Sequence, residues 1–438
     1  MGLEPKAEAG HHAATRTRKR LARAIDQRWE RPGRALRRFR APAAAVVLSL
    51  LVFLSPELTL APLSAVEPQR AGPAPIDRLD VFAPPRVQLV DLLQPDPIVQ
   101  PPATEVPRLE NASQFQAAIA AARAAGGAYG ITFAAVRDGQ LLWSGSTGRH
   151  RDAPDPIGVD DPLVIGSVTK TFVAAAILQL AEEGALDLDD TVRTHLPDMV
   201  AVSRTITIRQ LLDHTSGLAD VFNDTTRKGL EEHPERAWSA AEVLKTIHAP
   251  WYEPGEGWAY ANTNYFLLGL VVERVTGSSL ADELERRFLE PLGLTHTQVL
   301  SGAAEERLLS PAWATIFWGS GAMTSSAADL ARWGDALYGD QILDDASRQA
   351  MVELNSHDYG LGVQRIQVPG EIGYGHTGLL NTYTTLLLHL PDQQVTIALL
   401  VNRTEVDLGG MLAAEPPSGP SLLELIGVKP PPKDDPKE

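Results

Sequence analysis

Runs of apolar and polar positions divide the chain into strands, helices and breaks. Residues 113–125 (SQFQAAIAAARAA) are Ala-rich and helical, and Gly126-Gly127 stops them. Tyr129–Val136, the turn at Asp138-Gly139 and Leu141–Ser144 form a β-hairpin pattern. Near the other end, Gly360–Gln367, Thr382–Leu390 and Gln394–Asn402 read as three more strands, the last two joined by Pro391-Asp392. Helical patterns fill the space between at 170–184, 205–213, 239–248, 261–276, 280–288, 325–338 and 345–353. Strands at both termini with helices between them predict an α+β fold. Its antiparallel sheet is closed by distant segments and flanked by helices, with a helical subdomain.

One hydrophobic run stands outside this body. Ala41 through Pro56 carries no charge, Glu57 interrupts it, and apolar character resumes to about Ala65. Sixteen helical residues rise about 24 Å, a little short of the roughly 30 Å hydrocarbon core, whereas the stretch 41–65 is long enough. Residues 1–40 hold twelve Lys or Arg against four acidic residues, so the positive-inside rule keeps them in the cytoplasm and exports the rest of the chain. The segment is expected to be a signal anchor or, with Leu63-Ser64-Ala65 as a mediocre cleavage site, a signal peptide. The body is then membrane-anchored outside the cytoplasm, or secreted if the leader is cleaved. Residues 66–109 are a Pro-rich linker, 110–412 the folded body, and 413–438 a Pro-rich tail expected to be loose.

Charge removes one class of partner. The chain totals −16, so the basic leader leaves −24 for everything after position 40, and no nucleic-acid binding is expected. The absence of Cys rules out disulfides, thiolate metal sites and a Cys nucleophile. Nothing in the pattern specifies an oligomeric state.

Three short motifs carry candidate chemistry. Ser167-Val168-Thr169-Lys170 opens the helix that runs through Phe172, Ala175, Leu178 and Ala181. At that spacing Ser167 and Lys170 share a helical face, and a neutral Lys amine can take the hydroxyl proton. Burial or a nearby cation must lower the Lys pKa from its usual value of about 10.4 for this to work. Tyr260-Ala261-Asn262 follows the break at Pro254-Gly255, where the phenol can relay a proton and the amide can hold a substrate carbonyl. His376-Thr377-Gly378 offers a cation-capable side chain, a hydroxyl and exposed backbone N–H groups on a strand edge, suited to a substrate carboxylate and a polarised carbonyl. Each motif taken alone is weak. A fourth segment, Leu211-Leu212-Asp213-His214-Thr215-Ser216-Gly217-Leu218, reads as a helix end with a structural role.

The order and spacing of the three motifs resemble the penicillin-recognising serine enzymes, in particular the D-alanyl-D-alanine carboxypeptidase and class C β-lactamase branch. The likeness extends over most of the body, through the blocks at 185–198, 211–218, 254–269, 319–333 and 373–383. Tyr260 stands where other branches have Ser, and His376 where they have Lys. The resemblance implies the β-lactamase/transpeptidase-like fold and an acyl-enzyme on Ser167, with Lys170 and Tyr260 handling its proton. It further implies an oxyanion held between the backbone N–H groups of Ser167 and Leu379. Asn262, Thr377, Gly378 and His376 would bind the substrate, and no metal or organic cofactor is called for. The expected substrate is a small peptide, lactam or ester, with carboxypeptidase action on cell-wall peptides as the leading reading and a β-lactamase or an esterase as alternatives. From a different class, a catalytically inactive membrane-tethered scaffold remains open. An α/β-hydrolase is disfavoured because no Gly-x-Ser-x-Gly occurs.

Overall fold

The structure is a computed structural model that describes residues 111–197, 204–303 and 308–429. The basic segment 1–40, the hydrophobic segment 41–65 and the linker 66–109 lie outside the described residues. Among those described, no helix is long and apolar enough to cross a membrane.

Among the described residues, nine strands form two sheets. β1 (Gly130–Arg137), β2 (Gln140–Gly148), β6 (Gln364–Val368), β7 (Glu371–Leu380), β8 (Tyr383–Leu390) and β9 (Val395–Val401) make a six-stranded sheet in the order β2-β1-β9-β8-β7-β6. Every neighbouring pair is antiparallel. β3 (Leu163–Val164), β4 (Gln298–Val299) and β5 (Met323–Ser325) form a small second sheet in the order β3-β5-β4. Among the described residues, the helices of more than ten residues are α1 (Ala112–Gly126), α2 (Thr169–Glu182), α3 (Asn262–Thr276), α4 (Pro311–Gly321) and α5 (Ala327–Tyr338).

The large sheet is covered on both faces, which explains why its inner strands are continuously apolar. Along β9, Val395, Ile397, Leu399 and Val401 pack into the core with Phe115 and Ile119 of α1, whereas Ala398 and Leu400 pack into the core with α2 and α5. β1 repeats the pattern, with Ile131, Phe133 and Ala135 on one side and Ala134 and Val136 on the other. A third core, built from Val221, Val243, Phe266, Ile316 and Phe317, lies in the helical half.

Among the described residues, two helices of more than eight residues escaped the sequence pattern. α4 is apolar nearly all round and buried on several sides, so it shows no amphipathic period. The helix Asp224–Glu232 is the reverse case, polar apart from Gly229 and Leu230, with only Thr226 and Leu230 buried. β7 also emerges as a full strand, and the strand expected from Gly360 begins only at Gln364. Residues 413–429 depart from the loose tail expected of 413–438, whose remainder lies outside the described residues. Leu422, Leu423, Ile426 and Val428 are buried with α1 against the sheet, so apolar side chains spaced among prolines extend the body through this stretch.

One contact fixes the helix that carries Ser-x-x-Lys. Trp333 of α5 stacks on Phe172 of α2 at 3.9 Å between centroids, 9° from parallel, and its indole N–H donates to Thr171 Oγ1 at 2.9 Å. Trp333→Ala is expected to cost about 3–5 kcal/mol by cavity formation and to loosen α2, measurable as a lower denaturation midpoint.

Candidate active site

The turn Gly166–Val168 between β3 and α2 presents Ser167. Ser167 is half-exposed, while Gly166, Val168, Thr169 and Lys170 around it are buried. Gly166 adopts φ +53°, and a Cβ there would lie 2.8 Å from the Leu379 nitrogen of β7. Opposite it, a Cβ on Gly378 would lie 1.9 Å from the Ile165 carbonyl. Two glycines therefore let the serine turn and β7 touch backbone to backbone. The Thr377 N–H points to the edge of β7 away from β8, and the two-residue period of a strand turns the Leu379 N–H the same way, toward Ser167. An oxyanion needs that layout.

Lys170 is fully buried one turn into the helix. Its Nζ lies 3.1 Å from Ser167 Oγ, 2.9 Å from Asn262 Oδ1 and 2.6 Å from the Ser320 carbonyl. Burial lowers its pKa to about 7, partly opposed by the negative charge of Asp220. A neutral amine has two N–H donors and one lone pair. Asn262 Oδ1 and the Ser320 carbonyl can only accept, so they take the two donors and leave the lone pair facing the Ser167 hydroxyl. The backbone that presents Ser320 is unusual, because α4 is broken at Trp318, with φ +25° and ψ −114°.

Asp220 orients the amide that holds Lys170. Asn262 Nδ2 donates to Asp220 Oδ2 at 3.1 Å and the Asn262 backbone N–H does so at 3.3 Å, so Oδ1 turns to the amine. Burial raises the pKa of Asp220, against hydrogen bonds from Phe222 and Asn262 and the charge of Lys170. Asp220 lies just beyond the Leu211–Leu218 block, and no motif signalled it. Because Asp220 raises the Lys170 pKa, Asp220→Asn is expected to move the acid limb of kcat/KM to lower pH, read from a pH–rate profile.

The Tyr260 hydroxyl is buried beside Ser167. Its ring lies 4.8 Å from Lys170 Nζ and 4.3 Å from the His214 ring. Burial and then Asp220 raise its pKa, offset in part by Ser167 nearby, so the phenol keeps its proton. It is suited to give a proton rather than to act as the resting base.

His376 differs from its expected role. It is fully buried, and burial together with the Lys170 charge lowers its pKa to about 3 against the bond to the Thr377 carbonyl. The hydrogen-bond directions agree with a neutral ring. His214 Nδ1 faces the N–H donors of Ala261 at 3.3 Å and Asn264 at 2.8 Å, so its Nε2 carries the proton and donates to Tyr359 Oη at 3.2 Å. Tyr359 then donates to His376 Nε2 at 3.0 Å, and His376 Nδ1–H donates to the Thr377 carbonyl at 2.6 Å. His376 is a strut between the Tyr359 hydroxyl and β7 and offers no cation to a substrate carboxylate. His214, assigned to structure from sequence, anchors this chain at its far end.

Thr377 and Leu379 are half-exposed along β7, beside half-exposed Asn262 and Tyr260. β6 pairs with β7 only as far as Gln364↔Gly375, so among the described residues no strand lies against the edge from His376 onward. The structure thus brings Ser167, Lys170, Tyr260, Asn262, Thr377, Gly378 and Leu379 to one opening and excludes only the ring of His376.

A hydroxyl beside a buried amine of lowered pKa, a protonated phenol and backbone donors on a strand edge define a serine acyl-transfer hydrolase. Residues 115–414 match the Beta-lactamase family, and the chain belongs to that family of serine hydrolases. It is similar to penicillin-binding protein 4* of Bacillus subtilis (strain 168), 27% identical over 315 residues, or 63% of this chain and 68% of that protein. Penicillin-binding protein 4 of Amycolatopsis lactamdurans is 29% identical over 311 residues, covering 62% and 80% respectively. Among solved structures, a D-stereospecific amidohydrolase from Streptomyces sp. is 30% identical with a TM-score of 0.60, covering 68% of this chain and 98% of that one.

Proposed function

We propose that the protein opens amide bonds of D-configured peptides or amino-acid amides through an acyl-enzyme on Ser167. The observation that carries this reading is the Lys170 amine, 3.1 Å from Ser167 Oγ with a pKa lowered to about 7. Lys170 takes the Ser167 proton as Oγ attacks the carbonyl carbon. The N–H groups of Ser167 and Leu379 receive the oxyanion. Asn262 holds the substrate, and Tyr260 passes to the departing nitrogen the proton that Lys170 took from Ser167. Water then attacks the acyl carbon and releases the acid.

The expected carboxypeptidase action on cell-wall peptides is one form of this chemistry, and the similarity to two penicillin-binding proteins supports it. The buried, neutral His376 weighs toward the amidase form, because the third motif supplies no cation for a terminal carboxylate. Similarity to a D-stereospecific amidohydrolase weighs the same way. We further place the domain outside the cytoplasm, held by residues 41–65, a placement that protease accessibility in intact cells tests.

Mass spectrometry of the intact protein decides between the forms. Exposure to D- and L-phenylalaninamide, a penicillin and an activated ester is expected to show turnover of the D-amide over the L-amide and acylation on Ser167 by the ester. Rapid penicillin turnover without amide hydrolysis would move the assignment to a β-lactamase. Failure of every reagent to acylate Ser167 would leave the scaffold reading.

A further inference from the structure

The uncovered edge of β7 is not empty. Gln364, the first residue of β6, sends its side chain along it, and its Oε1 accepts from both the Thr377 backbone N–H and the Thr377 hydroxyl, each at 3.0 Å. A backbone N–H can only donate, so the atom facing it is the amide oxygen. Two convergent donors on one oxygen are what a carboxylate or carbonyl of a bound ligand would receive. Gln364 is half-exposed, and among the described residues its Nε2 has no protein acceptor, so the amide N–H groups are left for a ligand.

The charges around this niche point the same way. Asp220 is the carboxylate that acts on both Lys170 and Tyr260. Among the described residues, no arginine and no other lysine acts on Lys170, Tyr260 or His376. Arg365, adjacent to Gln364, is turned to Asp358 at 4.0 Å. With His376 buried and neutral, a carboxylate entering the niche gains no cation from the third motif. It must also displace Oε1 from two made hydrogen bonds.

We propose that Gln364 is the specificity-determining residue of this cleft. Its side-chain carbonyl fills the place of a terminal carboxylate, so the cleft selects peptides and amides whose leaving side is uncharged. An uncharged leaving group keeps the Gln364–Thr377 pair intact, and its own carbonyl accepts from Gln364 Nε2. The inference rests on the amidase reading and sharpens it, because it names the class of leaving group.

The test compares N-acetyl-D-alanyl-D-alanine with its C-terminal carboxamide on the full-length protein. The unaltered protein is expected to favour the carboxamide in kcat/KM by about tenfold or more. Gln364→Arg frees the Thr377 donors and adds a guanidinium that can clamp a carboxylate. It is expected to shift the ratio toward the free acid by about tenfold or more, chiefly through KM. Gln364→Ala frees the same donors without adding charge and is expected to shift the ratio in the same direction by less. Intact-mass acylation by an activated ester counts the competent Ser167 sites in each preparation, so rates refer to folded protein. Turnover of both peptides at equal efficiency by the unaltered protein, or a ratio that neither variant moves, overturns the assignment of Gln364. If the ester acylates Ser167 but neither peptide is opened, the amidase reading itself falls, and this inference with it.

Discussion

Replacing Lys170 with methionine is expected to slow acyl-enzyme formation by about 10²–10⁴-fold, the usual range for losing a positioned general base. It is also expected to remove a slope from the stability curve. Lys170 has its pKa lowered to about 7 in the folded protein against 10.5 as the ordinary value. Between those two pH values the unfolded chain holds a proton that the folded one has released, so stability rises with pH at about 1.4 kcal/mol per unit for this group. Below pH 7 both forms hold it, and the folded protein carries the full cost of a buried ammonium. Methionine keeps roughly the length of the side chain and does not titrate. Denaturant unfolding at several pH values between about 6 and 10 should therefore show the native protein gaining on Lys170→Met as pH rises. Parallel curves would mean that Lys170 is not held near neutrality, and the assignment of the base would fail.

Ser167→Ala is expected to lower turnover by about 10⁴–10⁶-fold and to abolish the acyl adduct with every reagent. Stability should barely change, because the hydroxyl is half-exposed and the turn that presents it is fixed by Gly166 and β7. Together the two variants separate nucleophile from base. Loss of Ser167 removes the adduct, whereas loss of Lys170 leaves slow, pH-insensitive acylation of an intact serine. A Ser167→Ala protein that still turned over substrate would place the nucleophile elsewhere.

The residues that could be read from sequence are those whose geometry is local. Ser167 and Lys170 lie one helical turn apart, so their spacing already places them together. The apolar runs of β1 and β9 and the helical run of α2 were visible for the same reason. Tyr260, Asn262 and Thr377 came only through the order of motifs, because what joins them is tertiary. Asp220 had no such signal. It reaches Asn262 across a break of 42 residues, and its role appears only once Lys170 is seen to use Asn262 Oδ1. The error on His376 has a different cause. Residue type shows that a ring can take a proton, but not that Tyr359 donates to it and burial keeps it neutral. Gln364 was out of reach altogether, since a glutamine on an edge strand is ordinary until Thr377 faces it.

The pairing of β1 with β9 has a consequence for how the protein is made. Ile131 lies opposite Val401 and Arg137 opposite Val395, and the Gly130 N–H is capped by Asn402 Oδ1 from 272 residues later in the chain. As synthesis proceeds, the β1–β2 hairpin waits with one edge bare until almost the whole domain has emerged. β7, which must bring Leu379 to Ser167, is tied through β8 to that same last strand. Such distant closure is slow, and it exposes an unpaired edge to chaperones or to other chains in the interval. Ser167 is therefore expected to become reactive only when the final strand is in place. A covalent label on that serine is then expected to count finished molecules, with partly made chains staying unlabelled.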